Sequence, residues 1–153
     1  MVSRIHYDSV PSTQTEAKKH FGELTEKGAW RVYTASTQTQ GRGTHGRDWH
    51  SPVGNIYASY IFLVPKNIAG TTLPHLSQIG AISVAEVLDN RGISSTIKWV
   101  NDVLINGKKV AGLLTESEMQ GDYFGICMGV GVNVNVDPEA LSHISQPATS
   151  IKG

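Results

Sequence analysis

The chain has a single cysteine, Cys127, among its 153 residues. That excludes a disulfide framework and any zinc site built from several thiolates. It also has no excess charge of either sign, since 13 Lys and Arg balance 13 Asp and Glu. No global basic field is present to recruit nucleic acid or an anionic membrane, so phosphate binding has to come from a local site. Long hydrophobic runs are missing as well. The longest, Ile56 to Val64, is interrupted by Ser59 and falls far short of the roughly 20 residues that span a bilayer. The first residues mix Arg4, His6 and Asp8 among apolar ones, which is no signal peptide. The expectation is a cytoplasmic protein with neither a nucleic-acid nor a membrane partner.

What is present is an ordinary globular composition, 39% hydrophobic and 17% charged. A chain of this length buries roughly 70% of its extended surface, enough for one core and one domain. Arg4 to Val10 reads as a first, edge strand. A helix then starts at Pro11-Ser12-Thr13-Gln14 and runs to Gly28, with Ala17, Phe21 and Leu24 facing inward. Strands follow at Trp30–Ser36 and Asn55–Val64, and a second helix at Leu73–Arg91. The remainder is strand-rich: Ser95–Trp99, Val103–Ile105, Val110–Glu116 and Tyr123–Val136. Asn106-Gly107 marks a type I′ hairpin, and Pro138–Ile144 a short last helix. This order predicts an α+β domain with a mixed, mostly antiparallel sheet and helices packed on one side.

Three clusters could carry chemistry. Gly41-Arg42-Gly43-Thr44-His45-Gly46 spells G-x-G-x-x-G, but no hydrophobic strand leads into it and no helix leaves it. A dinucleotide fingerprint is therefore rejected. The long polar stretch from Thr37 to Gly54 offers backbone N–H groups and the guanidinium forks of Arg42 and Arg47, which suit a phosphate or carboxylate. A solvated surface loop is the competing reading. Lys98-Trp99-Val100-Asn101-Asp102 and Lys108-Lys109 form the second cluster; Asn101-Asp102 could hold Mg²⁺ with a nucleotide's phosphates, or simply cap a turn. In Gly129-Val130-Gly131-Val132-Asn133, alternating small residues imply a strand closely approached by something else. The six histidines lack metal-ligand spacing, and Cys127 reads as a buried small hydrophobe.

Taken in order, the clusters closely resemble the biotin–protein ligases. The matching pieces are Ser12-Thr13-Gln14, Gln38 through Trp49, Ser51-Pro52-x-Gly54-Asn55-x-Tyr57, Lys98-Trp99-Val100-Asn101-Asp102, Lys108 through Gly112, and Gly129-x-Gly131-x-Asn133. The resemblance covers nearly the whole chain and implies a class II synthetase-like fold and a two-step reaction. ATP activates biotin to biotinyl-5′-adenylate with release of pyrophosphate, and a lysine of a biotin carboxyl carrier domain then takes the biotinyl group. By position, Lys109 and Arg42 are the implied catalytic residues. Biotin contacts fall at Ser12, Thr13, Gln14, Gln38, Arg42, Gly43, Thr44, Lys109 and Gly112. Contacts to ATP and the adenylate fall at Arg42, Arg47, Trp49, Asn101, Asp102, Lys109 and Asn133, with Asp102 taking Mg²⁺.

The chain departs from the pattern in places. Thr44-His45 stands where many relatives carry Arg-Arg, implying an adenylate held less tightly, and Val100 replaces the usual proline. Residues 1–153 read as the catalytic domain without an N-terminal DNA-binding domain, and without the last helix and the SH3-like domain that follow in relatives. Two alternatives stay open: a biotin- or adenylate-binding module with little turnover, and a lipoate or octanoyl ligase. Relatives often pair through sheet edges, which leaves a homodimer open too.

Overall fold

The computed structural model describes residues 2–24 and 28–153. Seven strands form one sheet: β1 (Val2–Val10), β2 (Trp30–Gln38), β3 (Ile56–Pro65), β4 (Thr96–Lys98), β5 (Asp102–Ile105), β6 (Lys108–Gln120) and β7 (Tyr123–Val132). Their order is β1-β2-β3-β7-β6-β5-β4. Among the strands of the described residues only β1 and β2 pair in parallel, because the chain between them crosses over through a helix; the other strand pairs are antiparallel. This is the mixed, mostly antiparallel α+β sheet that the element order predicts.

The helices are shorter and more broken than expected. The first, α1 (Thr13–Lys18), is capped by the Ser12 hydroxyl, which accepts from the Thr15 N–H at 3.4 Å. It gives way to a 3-10 turn at Phe21–Glu23 instead of running to Gly28; residues 25–27 of that expected helix lie outside the described residues. Ala17, Phe21 and Leu24 are buried nonetheless. The helix expected from Leu73 is preceded by α2 (Lys66–Thr72), whose turn-like Lys-Asn-Ile-Ala-Gly-Thr-Thr composition conceals it. Pro74 interrupts the run with a 3-10 turn before α3 (Leu76–Asp89). The expected last helix is a single 3-10 turn, Pro138–Leu141.

Two strand ends have local causes. Asn106 and Gly107 both have positive φ, +49° and +76°, as the I′ hairpin between β5 and β6 requires. β7 stops at Val132, four residues before its expected end, because the next backbone leaves the ladder for a side chain. The Asn55 Oδ1 accepts from the N–H groups of Val134, Asn135 and Val136 at 2.7, 3.0 and 3.3 Å.

Side-chain alternation along β7 separates the two faces of the sheet. Ile126, Met128, Val130 and Val132 join the cores beneath α2 and α3. On the opposite face, Cys127 packs with Ala17 and Phe21 of the α1 region, and Gly129 and Gly131 leave room above them. A Cβ on Gly131 would stand 2.6 Å from Cε2 of Trp49, and one on Gly129 would meet Oε1 of Gln14. The longer helices therefore back the sheet, while α1 and the glycine loop lie over the other face.

Candidate active site

A cleft of about 440 Å³ of empty space, counted to its open mouth, lies on that face. Its closed end is a continuous chain of polar groups, all buried except the half-buried Gln38. Gln14 donates from Nε2 to the carbonyls of Leu114 and Cys127 at 3.2 and 3.0 Å, and its Oε1 accepts from Ser59 Oγ at 3.2 Å. Ser59 Oγ lies 2.9 Å from Thr13 Oγ1. Gln38 Oε1 accepts from both the backbone N–H and the hydroxyl of Thr13, at 2.8 and 3.2 Å. The Gln38 Nε2 then donates to Ser51 Oγ at 2.9 Å, and Ser51 to the Trp49 carbonyl at 2.8 Å. Each group fixes the orientation of the next, so the end wall presents set donors and acceptors at little further entropic cost.

The mouth is charged. Arg42 reaches across from the glycine loop to Glu116 on β6, with N–O separations of 3.2 and 3.4 Å. Lys18 of α1 meets the same carboxylate at 3.2 Å. Burial works to raise the Glu116 pKa, but Gln14, Lys18 and Arg42 outweigh it and hold the carboxyl below the usual range. Lys109 pairs with Asp102 at 2.8 Å, both side chains being less than a fifth exposed, and its Nζ stands 5.2 Å from the centroid of the Trp49 ring. The Lys109 backbone is held on both sides. Its N–H donates to the Pro147 carbonyl and its carbonyl accepts from Thr149, each at 2.9 Å. A compact point charge on a flexible stem thus departs from a fixed point.

The glycine loop is itself a small hairpin. Gly43 N–H donates to the Arg47 carbonyl at 2.7 Å and Trp49 N–H to the Gly41 carbonyl at 2.9 Å, while His45 takes a left-handed conformation at φ +57°. Trp49 is thereby laid over Gly112 and Gly131, with its indole N–H buried and without an acceptor. Behind it opens a second cleft of about 520 Å³, lined by Arg47, Trp49, Lys109 and Asn133 and walled by Leu141, Ile144 and Ala148.

The residues singled out from sequence therefore converge. Ser12, Thr13, Gln14, Gln38, Arg42, Gly43, Thr44, Lys109 and Gly112 all line the first cleft, with Trp49 and Asn101. Gly43, Thr44, Trp49 and Lys109 are shared with the second. Asp102 lies in neither; it joins them through Lys109 and lines a third, open chamber. Asn101 is tied to β6, donating from Nδ2 to the Leu113 carbonyl at 2.7 Å. Asn133 is likewise committed, donating to the Thr149 carbonyl at 3.1 Å. Sequence reasoning missed Ser59, Glu116 and Lys18. Ser59 had a signal, as the one polar break in an apolar strand. The other two had none, because they meet only across β6 and α1. Cys127 is buried as expected, and burial pushes its thiol up to about 12.

A mixed sheet of this order, backed by helices on one side, is the fold of solved biotin protein ligases. The chain superposes on the biotin protein ligase of Leishmania major in complex with biotinyl-5-AMP with a TM-score of 0.76, at 29% identity, covering 98% of this chain and 63% of that one. For the Aquifex aeolicus biotin protein ligase in complex with biotin and ATP the TM-score is 0.72, at 32% identity, over 97% and 59%. The sequence profile of the Biotin/lipoate A/B protein ligase family matches residues 7–133, and the chain belongs to that family. The bifunctional ligase/repressor BirA of Bacillus subtilis is 37% identical over 150 residues, 96% of this chain and 45% of that protein. The chain thus spans about half the length of the curated relatives it matches.

Proposed function

We propose that this chain activates biotin with ATP to biotinyl-5′-adenylate and transfers the biotinyl group to a lysine of a biotin carboxyl carrier domain, in the cytoplasm. The observation that carries this reading is the pair of clefts meeting at Lys109 and Trp49, one ending in a fixed polar chain and the other opening past Arg47. The closed end of the first cleft suits a neutral, urea-like head, which needs donors and acceptors together. Ser12, Thr13, Gln14 and Gln38 supply them, while Gly112 leaves space for the ring and chain. The carboxylate end then faces Arg42, Gly43, Thr44 and Lys109.

In the first step an oxygen of the biotin carboxylate forms a bond to the α-phosphorus of ATP, and the bond to the departing pyrophosphate breaks. Two anions must approach, so the need is positive charge fixed where negative charge gathers. Lys109 and Arg42 provide it from a fixed strand and from the closed loop. Trp49 and Asn133 receive the adenosine, and Arg47 the phosphates. Among the described residues no three His, Cys, Asp or Glu side chains gather into a metal cage. One carboxylate beside an asparagine still fits Mg²⁺ carried in by ATP, which takes one or two protein ligands and neutralises polyphosphate charge. Asp102 and Asn101 would hold it. In the second step the lysine amine bonds to the activated carbonyl carbon, the acyl–phosphate C–O bond breaks, and AMP leaves.

Retention of Arg42, Asp102 and Lys109 around one junction favours turnover over mere binding. That the similar proteins named for a ligand are named as biotin ligases supports biotin over lipoate. Biotin-dependent ATP–pyrophosphate exchange tests the reading: exchange with biotin and none with lipoate is expected, followed by transfer once a carrier domain is added. Biotin binding without exchange would reduce the protein to a binding module.

A further inference from the structure

Three walls of the first cleft meet at a carboxylate that stands just outside it. Glu116 follows Gly112 and Leu114 along one face of β6; those two line the cleft and Glu116 does not. Lys18, in the last turn of α1, reaches the carboxylate at 3.2 Å. Arg42 reaches it from the glycine loop with both terminal nitrogens, Nη2 to Oε1 at 3.2 Å and Nη1 to Oε2 at 3.4 Å. A two-point fork of this kind fixes the plane of the guanidinium as well as its place.

The loop has few other ties. Arg47, its second arginine, hydrogen-bonds to the carbonyl and hydroxyl of Thr44 within the loop itself. Among the described residues, the bonds from Arg42 to Glu116 are the only side-chain hydrogen bonds from residues 41–48 to another element. A free arginine between two glycines would give up its rotamers only when a ligand arrived, whereas the paired one has already done so. The fork also leaves further guanidinium N–H donors for the oxygens of a ligand.

The pairing has an electrostatic drawback. A carboxylate beside the cation that faces two approaching anions cancels the charge they need. Lys18 offsets this, because Glu116 is its one ion-pair partner among the described residues. Two cations thus share one carboxylate, and the group as a whole stays positive.

We propose that Glu116 is a positioning residue for biotin activation: it holds Arg42 across the mouth of the cleft before ligands bind, while Lys18 keeps the charge of Arg42 available. The proposal rests on the ligase reading above and on the place of Arg42 in it. Glu116 acts only through Arg42, whose guanidinium meets the biotin carboxylate and the α-phosphate already oriented.

The direction of one effect decides the matter. Were Glu116 merely a carboxylate near a catalytic cation, Glu116→Gln would unmask positive charge and raise pyrophosphate exchange or leave it unchanged. For a positioning residue, Glu116→Gln is expected to lower the exchange kcat by about 10–100-fold, with the biotin Kd from calorimetry within about threefold and the thermal melt little altered. In an Arg42→Lys background, where no bidentate fork can form, the same substitution is expected to cost less than about threefold more. Lys18→Met keeps the fork and is expected to lower exchange at low salt, the difference from the unsubstituted chain shrinking as salt is raised. Exchange that holds or rises in Glu116→Gln, biotin affinity lost in step with kcat, an undiminished loss in the Arg42→Lys background, or full exchange in Lys18→Met would overturn the proposal. Absence of exchange in the unsubstituted chain is a different failure: it removes the ligase reading and this proposal with it.

Discussion

At the scale of single residues, the proposed chemistry turns on Lys109. Its ammonium is placed by a doubly held backbone, oriented by Asp102 at 2.8 Å, and shielded by the Trp49 ring. Lys109→Ala removes the charge and leaves the Asp102 carboxylate without its partner at the junction. Pyrophosphate exchange is expected to fall by about 10²–10³-fold, the usual cost of deleting a transition-state charge or donor. Biotin binding, measured by calorimetry, should persist because the polar end wall is untouched; retained exchange would move the chemistry elsewhere. Lys109 was legible in the sequence through its motif. Its partner Asp102 was legible too, but their contact was not, since it spans the β5–β6 hairpin through a register shift between Val103 and Leu104.

At the scale of elements, the alternation in β7 explains why a glycine-rich strand is needed there. Gly129 and Gly131 are notches in the sheet through which Gln14 and Trp49 reach the site, while Met128 and Val130 pack the other way. Gly131→Ala puts a methyl group 2.6 Å from the indole and has to push Trp49 out of the wall between the clefts. The expected result is a folded protein with loss of about 1–3 kcal/mol of stability from overpacking. Its affinity for ATP or a biotinyl-adenylate analogue should fall at least tenfold, read by calorimetry beside a thermal melt. Unchanged affinity would mean that Trp49 does not separate the clefts. The sequence indicated that something approaches this strand closely, from the pattern of small residues. It could not say what, because Gln14 and Trp49 lie more than 80 positions away. The helices illustrate the opposite difficulty: α3 was visible from its apolar content, yet Ile79, Ile82 and Val87 prove about half exposed, and α2 has almost no apolar pattern to read.

At the scale of the whole molecule, burial links the core to pH. Burial pushes both the Cys127 thiol and the Tyr57 phenol up to about 12, against ordinary values of 9.0 and 10.0. A hydrogen bond involving Asn55 works in the opposite direction on Tyr57, and its hydroxyl donates to the Pro52 carbonyl at 2.7 Å. For an acid whose pKa is raised by folding, the folded state keeps the proton longer than the unfolded chain. The associated stability is whole below pH 9 and is lost as the pH rises from about 9 towards 12. Urea titrations should show stability falling across that window by up to about 1.4 kcal/mol per pH unit for each group titrating only in the unfolded chain. A flat profile would mean that the thiol and phenol are open to solvent. The thiol should also resist alkylation at pH 8 until the protein is unfolded.

Sequence by itself determined the class of fold, most of the strands and their hairpin, and, through the family resemblance, many of the residues that line the first cleft though not Ser59. The fold is written in local patterns: alternation along strands, the Asn-Gly turn and the Ser12 cap; the site is written in short motifs that only together resemble one family. Tertiary structure alone decided which groups share a charge or a proton. Glu116 comes to stand between Arg42 and Lys18, Ser59 completes the chain from Thr13 to Gln14, and Trp99 is left exposed beside the chamber. The physical reason is one of range. Secondary structure follows from interactions between near neighbours, whereas ion pairs, buried hydrogen bonds and exposure depend on which distant segments the sheet brings within a few ångströms.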